Sequence, residues 1–342
     1  MPTYEYHGLK AQEMLRNNPM ARWHRAGADV DDSSGPLAVQ RMKQPCFQPL
    51  ILPAFSIGRR DRIFAIGSCF ARGIEKVLIH KKLRVESAAS EFDAFELQRP
   101  DVSQLGFTNK YTTASICNEL GWALDPSRSY PEDAFVQFAD NEWVDPHTNP
   151  TLKYVDLERT RERRRIMSEV VSRIKQCRVV IITLGLIETW FDHQTGLYLN
   201  MTPLERMLRR EPQRFVFHVL DYDENRRNLH EIHRLLNLYG HPQAQIVVTV
   251  SPVPLKATFS HRDVVVANSY SKSLLRTVAE EWSAAHENVH YFPSYEIALH
   301  SHRDVVWTED GRHVQGEMTQ HIMRLFVKAY LKKPLSRIFA RK

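Results

Sequence analysis

The chain has 342 residues, of which 43% are apolar and 25% are charged. A chain of this length and composition can bury a sizeable core as one large domain, so disorder over most of its length is excluded. The formal net charge is +6, from 46 basic and 40 acidic side chains. Because the two signs are interleaved along the chain, this excess does not require a nucleic-acid partner.

The first residues, Met-Pro-Thr-Tyr-Glu-Tyr-His, lack the positively charged start and apolar stretch of a secretory signal. No window approaches the roughly 18 apolar residues of a membrane span. We therefore expect a cytoplasmic protein without a transmembrane segment. The four cysteines lie far apart in sequence, which argues against a disulfide framework or a structural zinc site. We expect no metal and no cofactor.

The chain divides into three predicted parts. Residues 1–44 mix Gly, Pro, Asp and Ser with little periodicity, and we interpret them as an N-terminal extension that lies over the domain. Residues 45–330 form the predicted α/β domain, and residues 331–342 form a basic C-terminal tail. We interpret the basic run at residues 159–165 as a solvated helix face, with contact to an anionic surface as the alternative.

Apolar runs of strand length alternate with helix-like stretches after the extension. The predicted strands are residues 63–66, 179–184, 246–250 and 289–292, and the predicted helices are residues 71–80, 157–175, 224–238, 264–285 and 316–331. The second and third strands are continuously apolar, as expected for strands buried on both faces. This alternation predicts a mostly parallel sheet covered by helices, with the ligand site beyond the carboxyl ends of the strands.

Ser68 lies where the first predicted strand turns into a helix, in Arg62-Ile-Phe-Ala-Ile-Gly-Ser-Cys-Phe-Ala-Arg72. Gly67 permits a tight turn, and the helix that follows aims unpaired N–H groups at an anion. Ser68 is therefore a candidate nucleophile, and the alternative is a helix N-cap with no further role. Cys69 is a rival nucleophile, but adjacent residues at a turn point in different directions, and we favour Ser68.

Asp310 and His313 lie in a polar loop near the other end of the chain. A carboxylate three residues before a histidine can hydrogen-bond Nδ1 and leave Nε2 free to take a proton from Ser68. The alternative is an exposed histidine at a capped helix start. His300 and His302 lie nearby, but neither has an aspartate three residues before it.

The pentapeptide Gly67-Ser-Cys-Phe-Ala71 resembles the signature of the GSCFA family, which is itself similar to the SGNH/GDSL hydrolases. Further blocks resemble that family in the expected order: Asn109-Lys-Tyr-Thr-Thr-Ala114, Thr183-Leu-Gly-Leu-Ile-Glu-Thr-Trp190, Val250-Ser-Pro-Val-Pro-Leu255, Tyr291-Phe-Pro-Ser-Tyr-Glu296 and Glu309-Asp-Gly-Arg-His313. The resemblance spans residues 45–325. It implies a flavodoxin-like three-layer α/β/α sandwich in which Ser68, His313 and Asp310 act on ester-linked acyl groups, often on carbohydrates.

The oxyanion site departs from the SGNH pattern, in which donors include a glycine in a second block and an asparagine in a third. The Ser68 N–H and Gly185 fit as donors, but no asparagine follows Gly185. Asn109 is therefore the candidate side-chain donor, with a turn residue as the alternative. Glu188 would repel an oxyanion unless protonated or turned away, and it can instead orient another group. Trp190 is a candidate for stacking on a sugar ring, with a buried structural role as the alternative.

Three further segments have predicted roles. His286-Glu-Asn-Val-His290 matches a zinc motif, but it straddles a predicted helix end and strand start, so we do not interpret it as a metal site. Ser251-Pro-Val-Pro254 is predicted to be a rigid loop in the pocket wall. Tyr295 and Glu296 are predicted to lie in a loop after the last strand.

Together these residues predict an ester hydrolase or O-acyltransferase that acts on a small-molecule or carbohydrate ester through an acyl-enzyme on Ser68. Hydrolysis and transfer share every residue named here, and only water exclusion separates them. The alternative from another class is a non-catalytic carbohydrate-binding or assembly module, which the missing asparagine after Gly185 favours. A thiol enzyme dependent on Cys69 is a third hypothesis. The sequence leaves the oligomeric state open.

Overall fold

The structure is a computed structural model that describes residues 5–24, 37–98 and 106–331. Its strands are β1 (Arg62–Gly67), β2 (Arg84–Val85), β3 (Val136–Ala139), β4 (Glu142–Val144), β5 (Val179–Leu184), β6 (Glu188–Asp192), β7 (Leu197–Tyr198), β8 (Phe215–Val219), β9 (Gln245–Val250) and β10 (Val289–Tyr291). Its helices are α1 (Gly8–Asn17), α2 (Ala38–Met42), α3 (Cys69–His80), α4 (Thr113–Leu124), α5 (Leu157–Ser172), α6 (Glu205–Arg210), α7 (Tyr222–Tyr239), α8 (Val264–Ala285), α9 (Ser294–Leu299), α10 (Arg303–Val306) and α11 (Gly316–Tyr330).

The central sheet has five strands in the order β2-β1-β5-β9-β10, and every neighbouring pair is parallel. Counted along the chain, these strands have the order 2-1-3-4-5, which is that of flavodoxin-like folds. Ile63 pairs with Val179 and Gly67 pairs with Thr183, so β1 and β5 end at the same edge. The predicted parallel α/β sheet is confirmed.

Helices cover both faces of this sheet because its strands are apolar on both faces. Ile63 and Ala65 pack into a core with α3, α9, α10 and α11. Phe64 and Ile66, which point the other way, pack into a second core with α4, α5, α7 and α8. Burial of each large apolar side chain contributes about 1.5–3 kcal/mol. The three-layer α/β/α sandwich is therefore confirmed as well.

Two small antiparallel sheets were not predicted. β3 pairs with β4, and β6 lies between β7 and β8. They share a third core that contains Val136, Leu199 and Phe215. Their strands are short and interrupted by polar residues, so the sequence shows none of the continuous apolar runs of the central strands. β6 begins shortly after β5 ends, which brings this second layer of structure to the carboxyl edge of the main sheet.

The segment after β10 is helix α9, so the prediction of a loop containing Tyr295 and Glu296 was wrong. Pro293 is the residue before the helix, with φ of −83°. Proline has no N–H to donate and a fixed φ, so it fits a helix start without an unpaired donor. The Ser294 hydroxyl donates to the Val250 carbonyl at 3.0 Å and so joins the start of α9 to the end of β9.

The N-terminal part touches the domain at defined points. α1 buries no residue, whereas Phe47 N donates to Ser301 Oγ at 2.8 Å. Ile57 N donates to Tyr330 O at 2.7 Å and adds a parallel bridge beside α11. The boundary between extension and domain at residue 45 stays a prediction. Residues 332–342 of the predicted basic tail lie outside the described residues.

The basic run on α5 was predicted as a solvated face, and this was wrong for two of its arginines. Arg163 and Arg164 are buried and pair with Glu96 and Glu119. The more exposed members of the run also have acidic partners: Arg159 with Glu162, Arg161 with Glu132 and Arg165 with Glu169. Because each positive charge is compensated within the fold, the alternative of an anionic surface loses its support.

Candidate active site

β1 carries Ser68 to the carboxyl edge of the sheet through a tight turn. Gly67 has φ of +128°, and Ser68 N donates to Thr183 O at 3.0 Å. This bond extends the pairing of β1 and β5 by one residue. A Cβ atom on Gly67 would overlap the Thr183 carbonyl oxygen. The turn therefore requires glycine, both for its backbone angle and for the close approach of β5.

The Ser68 side chain is buried and lies at the N-terminus of α3. Its Oγ lies 3.0 Å from Thr183 Oγ1 and accepts from Phe70 N at 3.4 Å. Ser68 is therefore an N-cap, as its alternative interpretation predicted. The same position places Oγ at the positive end of the helix, where an alkoxide would be stabilised. Capping and a nucleophilic role are compatible at this residue.

The rival nucleophile Cys69 is less suited to the role. Burial raises the pKa of its thiol, although Arg312 and Lys272 act in the opposite direction. The thiolate is the nucleophilic form, so a raised pKa reduces the reactive fraction at neutral pH. This environment favours Ser68 over Cys69.

Asp310 and His313 are hydrogen-bonded to each other, with Nδ1 and Oδ2 2.5 Å apart. The Thr308 hydroxyl and the backbone amides of His313 and Arg312 donate to Asp310, and these bonds hold its pKa well below the ordinary value. An ionised carboxylate only accepts hydrogen bonds. The proton of a neutral His313 therefore lies on Nδ1, and Nε2 carries the lone pair that a general base needs.

No hydrogen bond joins Ser68 to His313 in the described part of the chain. His313 Nε2 instead accepts from Arg312 Nη1 at 3.1 Å, and Arg312 Nε donates to Pro254 O at 3.2 Å. The His313 side chain is 57% exposed, whereas Ser68 is 3% exposed. The loop still lies on the same side of the sheet as the Ser68 turn. Arg312 bonds to Pro254 O, Lys272 joins the neighbouring Val253 to Gly185, and Gly185 lies against the Ser68 side chain. The Ser68, His313 and Asp310 triad stays a prediction.

The two backbone donors predicted for an oxyanion already have acceptors. Ser68 N donates to Thr183 O, and Gly185 N donates to Tyr111 O at 3.2 Å. The expectation that the Ser68 amide is free was wrong, because the β1 and β5 pairing continues one residue beyond β1. Any oxyanion donors in this region must come from other groups or from a rearranged loop.

Asn109 lies directly beside the Ser68 turn. The next residue, Lys110, donates its backbone N–H to Gly67 O at 2.7 Å. The Asn109 side chain is buried, and its Oδ1 has no hydrogen-bond partner among the described residues. The nearby Tyr111 hydroxyl accepts from Asn149 Nδ2. A role for Asn109 as an oxyanion donor stays a prediction.

Glu188 and Trp190 lie on β6, at the side of the loop that follows β9. Glu188 accepts from the Thr258 hydroxyl at 2.6 Å and from Phe259 N at 3.4 Å. Its carboxylate is therefore committed to that loop. Trp190 packs edge-on against Phe217 and Phe259, with ring centroids 5.7 and 5.2 Å apart. Substrate contact by either residue stays a prediction.

A buried ionic network behind Asn109 was not predicted. Lys110 Nζ lies 2.7 Å from Glu119 Oε2, and Glu119 also pairs with Arg164. Burial raises the pKa of Glu119, but the charges of Arg164 and Lys110 outweigh it and bring the pKa down to about 2. The network fixes Lys110 and hence the backbone on either side of it. The signal in the sequence was a glutamate within the buried stripe of α4.

Lys272 is a second buried cation that was not predicted. Its Nζ donates to Gly185 O at 2.7 Å and to Val253 O at 2.8 Å. It therefore ties together the loops that follow β5 and β9. Burial lowers the pKa of Lys272 to about 7. The available signal was a lysine beside Ser271 and Leu275 on the buried face of α8.

We expect the stability that Lys272 confers to rise with pH. The pKa of Lys272 is about 7 in the folded chain, whereas its ordinary value, which applies to the unfolded chain, is 10.5. Between pH 7 and pH 10.5 the unfolded chain therefore binds more protons than the folded chain, and stability increases with pH. The free energy of unfolding of the wild type minus that of Lys272→Met should rise by up to about 1.4 kcal/mol per pH unit over this window. Urea titrations of both proteins at several pH values measure this difference in free energy. A difference that does not change with pH would contradict the prediction.

The zinc-like match at His286 and His290 lies where a helix ends and a strand begins, as predicted. It straddles the end of α8 and β10. His286 stacks on His233 at 3.7 Å, whereas His290 contacts Gln245 Oε1 at 2.8 Å. Over the described residues, no cluster of three or more His, Cys, Asp or Glu side chains could hold a metal ion. The helices in the same residues are too short or too polar to cross a bilayer.

Two large clefts lie away from the Ser68 turn. One, of about 720 Å³, lies between the N-terminal part and β10, and another, of about 740 Å³, lies between α7 and α8. Ser68, Asp310 and His313 line neither of them. Side-chain chemistry at the sheet edge, rather than cavity size, identifies the candidate site.

Comparison with solved structures finds several carbohydrate esterases. A family 3 carbohydrate esterase from Clostridium thermocellum is 12% identical, with 78% of this chain and 94% of that chain covered and a TM-score of 0.33. One from Talaromyces cellulolyticus is 10% identical, with 78% and 94% covered and a TM-score of 0.34. A mutant acetylxylan esterase from Geobacillus stearothermophilus is 11% identical, with 82% and 100% covered and a TM-score of 0.32. Sequence identities and TM-scores this low support no inference about activity.

Comparison with curated protein sequences found no match. Comparison with protein-family profiles matches residues 62–326 to the GSCFA family. This match runs from the start of β1 into α11, and it includes the Ser68 turn and the loop with Asp310 and His313. It covers most of the chain, and the protein therefore belongs to the GSCFA family.

Proposed function

We propose that this protein is a serine-dependent ester hydrolase or O-acyltransferase that acts on an acylated, carbohydrate-related substrate. The observation that carries the proposal is the hydrogen bond between Asp310 and His313, which assigns the proton to Nδ1 and the basic lone pair to Nε2. Ser68 at the N-terminus of α3 supplies the hydroxyl. A cytoplasmic location and a polysaccharide or small-molecule ester as substrate belong to the same proposal.

In the proposed reaction, His313 Nε2 takes the proton of Ser68 Oγ as Oγ attacks the ester carbonyl. The bond between the carbonyl carbon and the alcohol oxygen then breaks, and the departing alcohol takes the proton from Nε2. An acyl group remains on Ser68. Water or an acceptor hydroxyl next gives its proton to Nε2 as its oxygen bonds to the acyl carbon. The bond between that carbon and Ser68 Oγ then breaks, and Oγ takes the proton back from Nε2. The choice of water or acceptor separates hydrolysis from transfer.

A serine-directed fluorophosphonate tests this proposal. We expect the wild type to be labelled, and we expect His313→Ala to slow labelling by roughly 10²- to 10⁴-fold, since the general base is lost. His302→Ala is the matched control, because His302 is exposed and lies on a neighbouring segment. Equal labelling rates in the wild type and His313→Ala would contradict the role of His313.

A non-catalytic carbohydrate-binding module is the second candidate. It is favoured by the internal bonds of the Ser68 and Gly185 amides, which leave the predicted oxyanion donors occupied. This candidate predicts no labelling of the wild type over a range of pH, together with binding of intact oligosaccharides. Labelling that depends on Ser68 would exclude it.

A further inference from the structure

Arg312 is a half-buried cation at the candidate site that lacks an acidic partner. Its guanidinium donates to Pro254 O through Nε and to His313 Nε2 through Nη1. No carboxylate of the described residues forms an ion pair with it. Two other half-buried arginines are compensated: Arg178 pairs with Asp61 at 2.7 Å, and Arg214 pairs with Asp192 at 2.8 Å. Arg312 therefore differs from them in having a charge without a counterion.

The nearest acid in sequence, Asp310, does not supply that counterion. Its Oδ1 accepts from the Thr308 hydroxyl and from the amides of Arg312 and His313. Its Oδ2 accepts from His313 Nδ1. Both oxygens are thus committed to the loop itself, and the guanidinium of Arg312 points away toward Pro254 and the imidazole.

Lys272 is a second basic side chain at this edge of the sheet, held between the loops after β5 and β9 by Gly185 O and Val253 O. Burial lowers its pKa to about 7, so it is partly protonated near neutral pH. Neither Arg312 nor Lys272 forms an ion pair with a carboxylate of the described residues. Such an arrangement attracts an anion, and the planar fork of a guanidinium fits the oxygens of a carboxylate or phosphate.

The contact with His313 shows which side of an ester the anion would occupy. In the proposed reaction Nε2 passes its proton to the leaving alcohol oxygen, so a group in contact with Nε2 lies beside that oxygen. We propose that Arg312 binds an anionic group, a carboxylate or a phosphate, on the alcohol portion of the ester. This inference rests on the proposed function and narrows its substrate class to esters of acidic alcohols such as charged sugars.

The same contact links binding to activation. While Arg312 donates to Nε2, the lone pair of His313 is occupied and cannot accept the Ser68 proton. An anionic alcohol group offers Arg312 a stronger acceptor than a neutral imidazole, because hydrogen bonds to charged oxygens are roughly twice as strong. Binding of the anion therefore releases Nε2, and a neutral ester lacks this effect.

The test compares esters that differ only in charge. Meta-acetoxybenzoate and meta-acetoxyphenyl phosphate carry the two anions, and meta-acetoxybenzamide is the neutral match. We expect the wild type to prefer an anionic ester over the amide by about ten-fold or more in kcat/KM. Arg312→Gln should lose this preference and Arg312→Lys should keep part of it. Arg303→Gln, which removes an exposed arginine on α10, is the control.

The outcomes separate the inference from the proposed function. A wild type that turns over all three esters equally overturns the inference and leaves the esterase proposal intact. If Arg312→Gln lowers kcat/KM equally for the charged and the neutral esters, the inference is also overturned. If the wild type hydrolyses none of the esters, calorimetry of Ser68→Ala with meta-hydroxybenzoate and meta-hydroxybenzamide decides. Binding of the benzoate but not of the benzamide, lost when Arg312→Gln is added, supports the anion site alone. Equal binding of the two compounds, or binding of neither, overturns the inference.

Discussion

Replacement of Ser68 by alanine is expected to abolish ester hydrolysis, with kcat lowered by a factor on the order of 10⁴ or more. The acyl group can then form no covalent bond with the chain, and only binding and charge stabilisation remain. The fold should survive, because the lost contacts are the N-cap bond to Phe70 N and the bond to Thr183 Oγ1, and an N-cap contributes about 1 kcal/mol. Steady-state hydrolysis of an aryl acetate, with circular dichroism of the same samples, measures both effects.

Cys69→Ala is the matched control for Ser68→Ala. Cys69 is the next residue of the same turn, and burial raises the pKa of its thiol. We expect this variant to keep most of the activity and to be labelled by the fluorophosphonate. Activity that survives Ser68→Ala but disappears in Cys69→Ala, and that iodoacetamide blocks, would instead establish the thiol enzyme.

The fold was predictable where its strands are buried on both faces. Residues 179–184 and 246–250 are uninterrupted apolar runs, and β5 (Val179–Leu184) and β9 (Gln245–Val250) coincide with them within a residue. The two-residue edge strand β2 and the small antiparallel sheets carry too few apolar residues in a regular pattern to be seen. Helix α4 also escaped prediction, although it packs against the sheet, because Glu119 interrupts its apolar stripe.

The site was predictable where the chemistry depends on neighbours in sequence. The pairing of Asp310 with His313 follows from their spacing, and the structure contains that bond. The Ser68 amide, the Gly185 amide and the Arg312 guanidinium each have a partner that is distant in sequence: Thr183, Tyr111 and Pro254, respectively. No local pattern encodes those contacts. The oxyanion assignment failed for the Ser68 amide for this reason: whether an N–H is free depends on the register of a neighbouring strand, here that of Thr183.

Gly67→Ala is expected to have the largest effect on stability. Gly67 has φ of +128°, which residues other than glycine rarely adopt. An added Cβ would overlap the Thr183 carbonyl oxygen and crowd the Thr183 side chain. Backbone strain and overpacking each cost about 1–3 kcal/mol. The backbone cannot shift to relieve the strain or the overlap without a large energetic cost, because Thr183 belongs to the central strand β5. We expect a loss on the order of 4 kcal/mol or more, a large part of the stability of an ordinary domain.

Gly196→Ala separates backbone strain from steric overlap in this prediction. Gly196 has φ of +68°, but no atom lies within 4 Å of its added Cβ. We expect it to cost about 1 kcal/mol, as a left-handed residue does without a clash. Urea unfolding of both variants measures the difference, and failure of Gly67→Ala to fold at all would agree with the larger loss. If both alanines cost the same, the close contact between the Ser68 turn and β5 does not exist in solution, and the geometry proposed for the nucleophile loses its foundation.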